Sequence, residues 1–315
     1  MEILAKHTRF RAYQLKSKGS SFSYWDGTRF VLGEARYNDD NKNSIWHELK
    51  RCGKGAIDVL HITSWDADHC ASSELENILK DLKPKTIECP GHSINKEIQN
   101  QVDSLKLISA YLSAGKNTPK IVKVNKLDTT YISSLNSAKP WTYNNIIYDN
   151  KKDYKEENNN SNIKLFKAGN FSVLSLGDLE KEEISKWLAS FDIIKNEVDV
   201  MLLAHHGSDN GFTSSDFLGA VKPKVAISLS NWNNQHNHPS AAILSRLRDK
   251  KIDYYSTKQG DLIIESIGDH TRQYSVWNFI ADGEKLKEEP KKYKTKRASK
   301  ETTDKLVEAI KNWKK

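Results

Sequence analysis

The 315-residue sequence is short of the features that mark several protein classes. Only three cysteines occur, Cys52, Cys70 and Cys89, and no two form a CxxC pair. An odd, sparse count argues against a disulfide scaffold and a structural zinc knuckle, and it suits a reducing cytosol. No stretch approaches the ~20 continuous apolar residues that span a bilayer. Residues 1–18 mix charged and apolar side chains and lack the apolar run of a signal peptide. A cytoplasmic protein with no membrane partner is therefore expected. Acidic residues are also in deficit, 41 Asp and Glu against 49 Lys and Arg, for a formal net charge of +8. Hydrophobic residues nevertheless make up 37% of the chain, enough for a real core. The positive excess either gathers an acidic partner such as nucleic acid or solvates a lysine-rich surface.

Short β-prone runs open the chain at 12–15, 22–25 and 28–32, with Asp26-Gly27 as a hairpin signal. A helix is predicted over 44–52. Strands are then predicted at 57–63, 87–92, 163–166, 171–176, 198–203, 225–229, 253–256 and 261–266. Helices are predicted at 75–82, 96–112, 180–191, 215–220 and 241–250. Hairpins followed by this alternation predict an α/β fold with mixed sheets. The Asn-, Lys- and Glu-rich segment 149–162 reads as a mobile surface loop. The chain divides into one domain over 1–280 and a tail over 281–315. That tail reads as a lysine-rich linker (285–300) and a short amphipathic helix over 303–315, carrying Leu306, Val307, Ile310 and Trp313. The helix either docks on the domain, touches nucleic acid or binds a protein partner.

The chemistry concentrates where predicted strands end. Ser64-Trp65-Asp66-Ala67-Asp68-His69 follows the apolar strand 57–63 and brings two carboxylates and an imidazole together. Such a cluster suits zinc or manganese, and taken alone it equally suits a loop that caps the next helix. Three further features favour the metal. Asp178 follows Leu176-Gly177, His205-His206-Gly207-Ser208 ends the strand 198–203, and His236-Asn237-His238-Pro239 lies in a polar loop after 225–229. All sit at strand C-terminal ends, where open α/β sheets collect ligands.

In this order the motifs resemble the metallo-β-lactamase superfamily, whose hallmark is HxHxDH, then a glycine-aspartate on a strand, then later histidines. They are most similar to the soluble hydrolase domain of the DNA-uptake protein ComEC. That branch often reads HxDxDH and also carries an HHGS turn, a run like Lys222-Pro223-Lys224-Val225-Ala226-Ile227-Ser228 and a later His-Pro. The resemblance implies an αββα sandwich, two mixed sheets face to face with helices outside, and a metal site along one edge. It implies that Asp68 and His69 bind one ion, with Asp178 bridging or adjoining it and His206 completing the site. Asp66 would belong to the neighbouring metal position, His205 would contact substrate, and His238 would be a ligand or a phosphate-contacting general acid. Ser208 and Lys258 would touch phosphate, or stand as solvated loop residues. The family's first histidine is Ser64 here, His92 is a candidate for its middle histidine, and the N-terminal glycine-aspartate turn is replaced by Lys16–Ser21. One Zn2+ or Mn2+ ion, or a second recruited with substrate, is therefore expected. The implied activity is that of a phosphodiesterase or nuclease on DNA or RNA, with Asp68 orienting the attacking water and His205 or His238 assisting at phosphate. Hydrolysis of a small phosphodiester is an alternative, and so is a catalytically weakened sensor or scaffold subunit.

Overall fold

The computed structural model describes residues 7–116, 122–136, 146–148, 154–268, 271–280 and 286–296. The chain opens with a meander of β1 (Arg9–Ala12), β2 (Phe22–Trp25) and β3 (Phe30–Gly33), followed by α1 (Lys42–Arg51). Three strand–helix units come next: β4 (Val59–His61) with α2 (Ser72–Asn77), β5 (Thr86–Pro90) with α3 (Gln99–Lys116), and β6 (Lys123–Leu127) with α4 (Thr129–Asn136). The second half begins β7 (Ile146–Tyr148), β8 (Ile163–Phe166), β9 (Val173–Ser175), α5 (Glu182–Leu188), α6 (Asp192–Glu197) and β10 (Val200–Leu202). It continues α7 (Ser215–Val221), β11 (Val225–Ser228), α8 (Ala241–Asp249) and β12 (Asp253–Ser256), then β13 (Leu262–Ser266), β14 (Gln273–Asn278) and β15 (Lys291–Lys294).

These strands form two mixed sheets, one in the order β15-β14-β13-β1-β2-β3-β4-β5-β6 and the other β12-β11-β10-β9-β8-β7. In the first, β3 to β6 run parallel and the rest antiparallel; in the second, β9 to β12 run parallel. The period-two pattern of the strands supplies the inner faces. Phe10, Phe22, Tyr24 and Val31 from the first sheet pack on Phe166, Val173, Val200, Leu202, Val225 and Ile227 from the second. Helices close both outer faces. Ile45 and Leu49 of α1 join Leu75 of α2 on the first sheet, and Ile184, Leu188, Leu218 and Leu247 cover the second. The chain therefore has the αββα sandwich of the metallo-β-lactamase fold that the resemblance implied. Among the described residues, no helix is long and apolar enough to cross a membrane.

Two expectations need correcting. The polar segment 149–162 is not a free loop in its described part, 154–162. Its asparagines replace missing backbone partners: Asn159 Oδ1 accepts from the amides of Glu180 and Lys181 at 3.1 and 3.0 Å, and Asn162 Nδ2 donates to the Ile62 carbonyl at 3.1 Å. The lysine-rich linker is likewise part of the sheet over Lys291–Lys294, where β15 pairs with β14. Tyr293 anchors that strand by stacking on Tyr274 and sharing a 3.0 Å hydroxyl contact with Tyr255, while the lysines mark an exposed edge. The amphipathic helix expected at 303–315 lies outside the described residues.

Candidate metal centre

Four of the strand-end residues converge. Asp68, His69, Asp178 and His206, all buried, each offer one ligand atom, and these atoms lie within 4.8 Å of one another. They come from both sheets: Asp68 and His69 from the loop after β4, Asp178 from the turn after β9, and His206 from the turn after β10. His69 Nε2 lies 3.0 Å from Asp178 Oδ1, and His206 Nε2 lies 3.7 Å from Asp68 Oδ2 and 3.8 Å from Asp178 Oδ1.

Local backbone geometry delivers each group. Gly177 adopts φ +54°, and a Cβ there would meet the Ser161 Cβ at 2.7 Å and the Thr63 hydroxyl at 3.1 Å, so only glycine brings Asp178 this close. His205 and His206 also take left-handed conformations, φ 46° and 56°, which L-residues adopt at a cost of about 1–3 kcal/mol and mostly at functional sites. Their turn is pinned by the His205 amide on the Gly177 carbonyl at 2.9 Å and by the Ser228 hydroxyl on the His206 carbonyl at 2.6 Å.

The outer atoms of both imidazoles are fixed. His206 Nδ1 donates to the Leu229 carbonyl at 2.6 Å. His69 Nδ1 faces Glu34 Oε1 and Thr63 Oγ1, each at 3.2 Å, and Thr63 Oγ1 itself donates to Glu34 Oε1 at 2.6 Å. Both Nε2 atoms are buried and point into the cluster, where the Asp68 and Asp178 carboxylates are the groups that face them. A histidine whose Nδ1–H is held by a carbonyl or carboxylate presents a lone pair on Nε2, which is the usual arrangement of a metal ligand. Two imidazoles and two carboxylates thus fit a divalent cation.

Electrostatics point the same way. Burial alone would raise the Asp68 carboxyl, but His206, His69 and Lys18 outweigh it and hold it below the ordinary carboxylate range. Asp178 is held down similarly, by His69 and His206 against its burial. Burial opposes protonation of His69, yet Asp178 and Glu34 push its pKa well above the usual imidazole value. A buried site this rich in carboxylate favours any cation that enters it.

The remaining expected residues surround this core. Asp66 lies outside the four-residue group: its carboxylate accepts from the Ser64 hydroxyl at 3.1 Å and lines a cleft of about 540 Å3 with Asp68, Asp178, Lys18 and His205. His205 Nδ1 donates to Glu180 Oε1 at 2.9 Å. His238 lies on a second rim with its ring centroid 5.7 Å from that of His205, and burial and the neighbouring histidines push its pKa down to about 4. Ser208 caps the His205 turn through its amide. The Lys258 carbonyl accepts from Gln14, and this residue lines neither cavity at the cluster. The His92 carbonyl accepts from the Trp65 indole at 3.4 Å, away from the four ligands. Sequence reasoning missed Glu34, Thr63 and Lys18. Glu34 had a visible signal, a carboxylate directly after the apolar strand β3.

The architecture and the strand-end Asp/His cluster together define a metallo-β-lactamase-type sandwich with a candidate metal centre. No protein-family profile matches the chain. A 93-residue stretch is 31% identical to Competence protein ComA of Neisseria gonorrhoeae, covering 30% of this chain and 13% of that protein. Among solved structures, a variant of CmlA β-hydroxylase is similar over 83% of this chain and 54% of its own, with 12% identity and a TM-score of 0.50. A metallo hydrolase of the archaeon Ignicoccus hospitalis covers 81% of this chain and 98% of its own (11% identity, TM-score 0.45). Tm1679, a metal-dependent hydrolase of the β-lactamase superfamily, covers the same shares (10% identity, TM-score 0.46). The chain resembles the metallo-β-lactamase superfamily and, within it, the ComEC-like branch.

Proposed function

We propose that this chain is a metal-dependent hydrolase acting on phosphodiester bonds of DNA or RNA. The observation that carries the reading is the pair of buried Nε2 atoms, on His69 and His206, aimed at Asp68 and Asp178. The donor set suits Zn2+ or Mn2+, its carboxylate share favouring the harder ion. When bound, a divalent cation supplies a Lewis acid beside the phosphoryl group and acidifies water.

The chain's own groups would do the rest. Asp68 and Asp178 present carboxylate oxygens at the floor of the cleft, where they orient the attacking water. His205, fixed through Nδ1 by Glu180, is left with Nε2 for a phosphate oxygen or the leaving group. The buried Nδ1 of His238, which has no hydrogen-bond partner among the described residues, stands across the same opening. Nucleic acid is favoured over a small phosphodiester by the net charge and by Trp232. That indole is 63% exposed on the loop whose neighbours Asn231 and Asn234 line the site. The Asn234 side chain ties the loop to the Asn231 and His238 carbonyls, both at 3.0 Å, so the ring is offered to a base face on a braced support.

Purified protein with Mn2+ or Zn2+ is expected to cleave single-stranded DNA or RNA, and Asp178→Asn to abolish that cleavage. Trp232→Ala should raise KM for an oligonucleotide about tenfold while leaving a bis(p-nitrophenyl) phosphate control unchanged. Turnover of the small ester with nucleic acid left intact would contradict the nuclease reading, and turnover of neither would contradict the hydrolase reading.

A further inference from the structure

The cleft holds a cation that belongs to the chain. The Lys18 side chain is 63% exposed, yet its ammonium sits 2.9 Å from Oδ2 of buried Asp68. Asp178 and Asp66 attract it as well. It borders both cavities that meet at the cluster.

This placement is built into the loop. The Ser20 amide donates to the Asp68 carbonyl at 3.0 Å, tying the Lys18 segment to the backbone of the residue it neutralises. Gly19 takes φ +139°, and a Cβ there would stand 2.7 Å from that same carbonyl. Arg36 Nη1 donates to the Lys18 carbonyl and Nη2 to the Ser17 hydroxyl at 3.1 Å. Arg36 is itself gripped by Glu74 through two bonds, of 3.1 and 2.9 Å. Asn231 Nδ2 donates to the Lys16 carbonyl at 3.4 Å from the opposite rim.

The neighbouring position is poor in donors. Ser64 stands where the resemblance calls for a histidine, and its hydroxyl is engaged within its own loop by the Asp66 carboxylate and amide. Charge balance agrees. Asp66, Asp68, Asp178 and Glu34 need positive charge nearby, and Lys18 already supplies part of what a second divalent ion would otherwise bring.

We propose that the Lys18 ammonium takes the place of a second metal ion, so that the centre binds a single divalent cation and Lys18 supplies the other positive charge facing an anionic substrate. This inference rests on the metal-dependent reading above. Lys18 is a charge-balancing residue of the centre, and its largely exposed side chain makes substitution safe for folding.

Equilibrium dialysis with Mn2+ alone tests it, without any need for turnover. Wild type and Lys18→Arg are expected to bind one equivalent. Lys18→Ala is expected to bind a second, weaker equivalent through Asp66 and Asp68, or to bind the first at least tenfold more tightly once the competing charge is gone. Two equivalents in wild type, or one in Lys18→Ala at unchanged or weaker affinity, would overturn the proposal. No bound Mn2+ in any variant is a distinct result: it would bring down the metallohydrolase reading and this inference with it.

Discussion

Two histidine–carboxylate clusters are buried in this molecule, and they are neutralised in different ways. In the first, His61 of β4 and Glu88 of β5 lie side by side in one sheet, with Nδ1 2.9 Å from Oε2, and Lys164 of β8 reaches across from the other sheet to the same oxygen. Burial pushes the Glu88 carboxyl up, but Lys164 and His61 outweigh it and bring its pKa down to about 2. In charge that cluster is closed, because the protein supplies its own cation, although His61 Nε2 is itself buried without a hydrogen-bond partner among the described residues. In the second, Asp68, Asp178 and Glu34 surround His69 and His206, and the Lys18 ammonium reaches in from the surface and leaves both Nε2 atoms facing the centre. Buried carboxylates require positive charge nearby. Where the chain provides it in full the result is a rivet between sheets, and where it provides part the result is a candidate cation site.

Breaking the closed cluster should have the largest effect. Lys164→Met leaves Glu88 buried with His61 but without its ammonium and should cost about 3–5 kcal/mol in denaturant unfolding, with metal content unchanged. Acid should open the same cluster in the wild type. Because the folded pKa of Glu88 lies below its unfolded value, its stabilisation is complete above the ordinary carboxylate range. It is lost as pH falls from about 4.5 towards 2. The loss should approach ~3 kcal/mol, read from unfolding midpoints across that window, and it should largely vanish in Lys164→Met. The open cluster is more sensitive in affinity than in stability. Glu34→Gln loosens the group that orients His69 and should weaken metal binding about 10- to 100-fold by titration calorimetry, while Lys164→Met leaves that affinity alone.

The candidate ligands were legible because each follows an apolar strand, and parallel strands bring their C-terminal ends to one edge. Asp68, His69, Asp178 and the His205-His206 pair stood out from that pattern, whereas the choice of His206 and the αββα layering came from the family resemblance. What surrounds them was less visible for a physical reason. Thr63, Lys18 and the Leu229 carbonyl come from scattered positions and act through hydrogen bonds or charge that no local spacing encodes, while Glu34 follows an apolar strand and was overlooked. Asn159 misled in the same way, since a polar run reads as loop although its side chains stand in for backbone partners behind Asp178. Lys291–Lys294 read as linker because three lysines conceal Tyr293, the residue that places the strand.

The central claim is that the open cluster is a divalent-cation site. Elemental analysis of purified wild type, compared with an Asp68→Ala, His69→Ala double variant, tests it most directly. The account predicts one equivalent of metal in the wild type and none in the variant, with both proteins folded. A wild type that remains metal-free after exposure to Zn2+ and Mn2+, or a variant that keeps its ion, would contradict it.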